Sequence, residues 1–75
     1  MDKKYFREIF NLEATVFEGQ SGKRIDYGRL ENIFTMVGFE PTEKQTAEFK
    51  LMFEKTGGTM KFEEFLAVFS LKSNP

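Results

Sequence analysis

Glu54 and Glu64 stand at the two ends of a segment with the outline of a calcium-binding loop, and Glu18 and Asp26 fall at ligand positions of a second, earlier one. Such a loop has about twelve residues, with oxygen donors at positions 1, 3, 5, 7, 9 and 12, glycine at 6 and a bidentate glutamate at 12. With Ile25 at position 8, the earlier loop offers Glu18, Gln20, Gly22, Arg24, Asp26 and Arg29, and Lys23 stands where glycine belongs. Arg29 puts a cation in place of the bidentate carboxylate. The later loop keeps both end glutamates, but Lys55 to Thr59 between them falls one residue short and brings a lysine instead of oxygens. Neither loop supplies the six or more oxygens that a calcium ion takes. No metal is therefore expected, with Glu54 and Glu64 the only weak candidates, and these two are read as solvated or as capping the following helix.

Catalytic chemistry has little to draw on. The 75 residues include no Cys and no His, which removes thiolate and imidazole nucleophiles, bases and metal ligands together. Glu63 and Glu64 are adjacent on a helical pattern and project about 100° apart, so they do not converge on one substrate. No glycine-rich phosphate loop or triad is present, and neither an enzyme nor a cofactor is expected. A net charge of −1, from eleven basic and twelve acidic residues, gives no field for nucleic acid or an anionic membrane. No apolar run approaches ~18 residues, and Met1-Asp2-Lys3-Lys4 has no apolar stretch behind it, so neither a transmembrane helix nor a signal peptide is read. A complete short cytosolic protein with a frayed tail at Lys72-Ser73-Asn74-Pro75 is the expectation.

Four helical patterns flank the two loops. Asp2 caps the first, roughly residues 3 to 17, with Phe6, Ile9, Phe10, Glu13, Ala14 and Phe17 recurring at helical spacing. Tyr27, Leu30, Ile33, Phe34 and Val37 stripe the second, which Gly38 ends. Thr42 and Gln45 form a capping box for the third, which carries Ala47, Phe49, Met52 and Phe53 and stops at Thr56-Gly57-Gly58. Phe62, Phe65, Leu66 and Phe69 face the fourth. Ile25 and Met60 occupy equivalent places in the two loops and are expected to pair as a minimal antiparallel bridge, the mark of a weak internal duplication. The expected fold is all-α: one domain over 1–75, with a first helix-loop-helix unit at about 3–38 and a second at about 42–72.

These residues resemble one lobe of the calmodulin and myosin light chain superfamily, a pair of EF-hands. The likeness is densest from Ile25 to Phe49, where Val37-Gly38-Phe39-Glu40-Pro41-Thr42-Glu43 stands for the family's Leu-Gly-x-x-Pro-Thr-Glu. Phe6 to Leu12 is similar to its first-helix pattern, and Met60 to Leu66 to its second-loop exit. If Phe6 to Leu12 is aligned with that helix, the first loop gains about four residues and no better ligands. The resemblance implies a groove for an amphipathic partner helix, lined by Ile33, Phe34, Val37, Phe39, Phe49, Met52, Phe53, Phe65, Val68 and Phe69, with Phe10 as its floor. Phe10, Phe49 and Phe65 are read as closed core ahead of groove, Phe34, Met52, Phe53 and Phe69 as either, and Phe39 as a lid on the core or a partner contact.

The single lobe looks like the one-lobe light chains of class I unconventional myosins. The implied function is calcium-independent binding of an IQ-motif helix in a myosin heavy-chain neck, stiffening the lever arm and placing the chain on the actin cytoskeleton through the motor. The free chain is expected to be a monomer. Ten phenylalanines exceed what one stripe buries in so small a domain, which points independently to a partner. On this reading Phe53→Ala or Phe69→Ala weakens target binding more than it lowers the melting temperature. Alternatives are a peptide adaptor or homodimer on the same fold, or a weak calcium sensor acting through the later loop.

Overall fold

A computed structural model describes the backbone of residues 2–73 and the side chains of residues 2–69. The elements run α1 (Lys3–Glu13), β1 (Ile25–Asp26), α2 (Tyr27–Val37), α3 (Glu43–Lys55), β2 (Thr59–Met60) and α4 (Phe62–Ser73). The architecture is all-α apart from a two-stranded antiparallel sheet that pairs Ile25 with Met60 and Asp26 with Thr59. Of the expected tail at residues 72–75, the backbone of 72 and 73 belongs to α4, while 74 and 75 lie outside the described residues.

Local chemistry accounts for most element ends. The Asp2 carboxylate accepts from the Lys4 and Tyr5 amides at 3.1 and 3.3 Å, satisfying two of the donors that a helix start leaves unpaired. Thr42 and Gln45 exchange side-chain and backbone bonds at 2.9 and 3.1 Å in a complete capping box. Asp26 caps α2 through the Arg29 amide at 2.9 Å, and Gly38 ends that helix in the left-handed region at φ 73°.

The first helix is shorter than the periodicity predicts, ending at Glu13 rather than near Phe17. Thr15 and Val16 are β-branched and favour extended backbone. Thr15 exchanges two backbone bonds with Arg24, at 2.9 and 2.8 Å, drawing the chain out of the helix. The Arg29 Nη1 donates to the Glu13 carbonyl at 2.9 Å, taking up an acceptor that the helix end leaves open. The segment between α1 and β1 is thus about four residues longer than the periodicity predicts.

Aromatic packing fills the interior. Ile9, Phe10, Ile25, Leu30, Ile33, Phe34, Phe49, Phe53, Met60, Phe62, Phe65, Val68 and Phe69 form one buried cluster drawn from every element. Phe65 is a hub, its ring 5.4 Å from Phe10, 5.0 Å from Phe69 and 6.2 Å from Phe62, within the range of favourable edge-to-face and tilted ring pairs. A domain of this size has little apolar surface to spare, and dense ring packing is how this chain meets that limit.

Candidate functional site

Two places carry chemistry: the paired loops and the aromatic cluster beneath them. In the loops, the sheet brings Arg24 and Thr59 side by side although they are far apart in sequence. Arg24 Nε donates to Thr59 Oγ1 at 2.8 Å, and the Thr59 hydroxyl donates to Gln20 Oε1 at 2.7 Å. The other end of the Arg24 guanidinium lies 4.0 Å from Glu64 Oε1. That same carboxylate oxygen accepts the Lys61 amide at 2.8 Å and so closes the start of α4. Thr59 is buried, so its hydroxyl needs both partners.

The ligand positions therefore do not converge. Glu54 is exposed, and Glu64 faces Arg24 rather than a shared centre. Asp26 is spent on the α2 cap, and its Oδ1 lies 4.0 Å from Arg29 Nε. Arg29 turns toward the end of α1, with its guanidinium 5.8 Å from the centre of the half-buried Phe17 ring. Among the described residues no three carboxylates, histidines or cysteines come together as a metal site. Chemically, the Arg24 guanidinium stands between the two loops and binds them to each other, while Arg29 ties the first loop to the end of α1. Sequence reasoning recognised Arg24 and Arg29 as misfits at ligand positions. It missed the link through Thr59, because that bond joins residues 35 positions apart and no local pattern encodes it.

All ten groove candidates are gathered in the same region, but as a closed interior. Ile33, Phe34, Phe49, Phe53, Phe65, Val68 and Phe69 are buried, and Val37, Phe39 and Met52 pack against them as partly buried neighbours. Phe34 meets Phe49 at 5.5 Å and Phe69 at 6.2 Å, so α2, α3 and α4 are zipped together along the line that the resemblance assigns to a groove. Phe10 sits deep in the cluster and contacts Phe62 and Phe65. Phe39 stacks edge-on over Phe34 at 5.0 Å and covers the linker end of the core. In this closed state Phe53 and Phe69 are core residues, so truncating either costs stability directly.

Tyr27 is the other side chain the periodicity placed only as a stripe residue. Its ring meets Phe53 at 5.6 Å with the planes nearly perpendicular, and the Lys50 ammonium lies 5.5 Å from its centre. Burial pushes its phenol above the ordinary value, Glu31 adds to that, and a hydrogen bond with Thr46 pulls the other way. Comparison with models of known families, with curated proteins and with solved structures gives no match for this chain, so the function must be read from this geometry.

Proposed function

We propose that this chain is a metal-independent helix-binding lobe: a degenerate EF-hand pair acting as a light chain on an IQ-type helix in the neck of an unconventional, class I myosin. The observation that carries the proposal is the exchange of calcium chemistry for arginine chemistry at the loops. Arg24 and Arg29 hold by hydrogen bonds the geometry that, in a metal-dependent lobe, an ion would hold. A lobe fixed in this way has no use for calcium and keeps its apolar interior as its working surface.

The binding step follows from the packing. A partner helix enters by separating the Phe34, Phe49 and Phe69 rings and replacing them with its own apolar anchors. The linker 38–42 is the hinge, since it joins the two halves and its Phe39 ring is the one lying over Phe34. Stiffening of the neck results, because an isolated helix in water bends and frays whereas a clamped one is held on several sides. A calorimetric titration of the chain in chelator with an IQ-type neck peptide tests the proposal. One-to-one binding without metal is the expected result, and an absence of heat and of competition with labelled peptide would reject it.

A further inference from the structure

The side of α2 and α3 next to the linker carries a second feature at the edge of the closed core, where Phe34 and Phe39 belong to both. Three adjoining recesses meet there, sharing Phe34, Thr35, Phe39, Glu40, Pro41 and Thr46 among their walls, with volumes of about 220, 310 and 350 Å³. The floor of the central one is apolar and aromatic, built from Tyr27, Phe34, Phe39 and Pro41. At about 220 Å³ it is smaller than the pockets that enclose a whole small-molecule ligand, and it suits single anchoring side chains.

Carboxylates outnumber cations around this groove, with Glu31, Glu40 and Glu43 in its walls against Lys50. From Leu30 to Glu43 the chain has three carboxylates, Glu31, Glu40 and Glu43, and no lysine or arginine. Among the described residues none of the three is ion-paired; the ion pairs involve Arg24 with Glu64 and Arg29 with Asp26. The nearest cation in the walls, Lys50, lies over the Tyr27 ring. Aromatic faces beside unpaired carboxylates suit a guanidinium, which stacks on a ring and bonds to carboxylate in one plane.

We infer that this groove docks a basic segment carrying an apolar anchor, with arginines of the partner set against Glu31, Glu40 and Glu43 and the anchor seated between Tyr27 and Phe39. The inference rests on the reading of the chain as a helix-binding lobe and adds the place where the partner's cations land. It also supplies a first encounter that leaves the core closed. The rim charges act mainly on association, and they steer a basic helix to the hinge end of the lobe before the rings part.

The test titrates an IQ-type basic amphipathic peptide of about 25 residues into ¹⁵N-labelled chain, wild type and E31Q/E40Q/E43Q, at low and physiological salt. Amide shifts at Tyr27, Thr35, Phe39 and Thr46 in the wild type, with affinity on the order of tenfold lower and a flatter salt dependence in the variant, are expected. An unchanged melting temperature shows that the variant is folded. Equal affinity and equal salt dependence in both proteins would overturn the groove while leaving the light-chain reading intact. No binding to the wild type in any buffer would instead remove the light-chain reading itself, and the inference with it. Self-association of the free chain, abolished by the same variant, would make a second copy the occupant and overturn the proposed partner.

Discussion

A guanidinium at a would-be ligand position changes what holds two loops together. Arg24 donates to Thr59 and lies 4.0 Å from Glu64, and neither contact involves a metal that a chelator could remove. Arg24→Ala leaves the buried Thr59 hydroxyl with Gln20 alone, and is expected to lower the unfolding free energy by about 1–2 kcal/mol. Urea unfolding followed by circular dichroism measures this loss, which is expected to be the same in calcium and in chelator. Tyr27 gives a second handle at this scale. Because its folded-state ionisation is raised above the ordinary value of 10.0, the folded state disfavours tyrosinate. Its contribution is fully present below the unfolded pKa and is lost as pH rises through the folded one, so stability falls in the alkaline range above about 10. Absorbance titration at the tyrosinate band is expected to show Tyr27 ionising above the ordinary phenol value of 10.0, with Tyr27→Phe as the assignment control. Arg29 was legible as a misfit from its position alone. Its bond to the Glu13 carbonyl was not, since that depends on where α1 stops.

Helix boundaries were readable wherever a side chain or a glycine sets them locally. Asp2, Gly38 and the Thr42–Gln45 box all stand where the sequence places them. The C-terminus of α1 did not follow the periodicity, because the spacing of Ala14 and Phe17 imitates a continuing helix while Thr15 pairs with a residue across the loop. The β-branched Thr15-Val16 pair was the available signal. Two substitutions separate these local devices from tertiary packing. Thr42→Ala is expected to cost about 1 kcal/mol through the lost cap. Gly38→Ala meets no atom within 4 Å, so its cost is conformational only, about 1–2 kcal/mol for an alanine held at φ 73°. Thermal melts of the two variants read both values, and a larger loss at Gly38 would indicate that the linker is pinned by more than backbone geometry.

The whole molecule gathers its phenylalanines into one interior, and the partner-groove residues named from resemblance are the same residues that close it. The sequence identified which side chains are apolar and which helix each lies on. It held no information on whether the helices meet or part, because that balance depends on ring contacts between distant segments such as Phe34 with Phe69. Phe49→Ala or Phe65→Ala is expected to cost about 3–5 kcal/mol, most of the stability of so small a domain, and to leave the chain largely unfolded by circular dichroism. The central claim is that this lobe holds its binding-competent fold without metal. It is tested most directly by ¹H–¹⁵N spectra of the free chain in chelator and in millimolar calcium. Superimposable spectra are predicted. Calcium-dependent shifts running from Glu54 to Glu64 would contradict the account and make the second loop a working ion site.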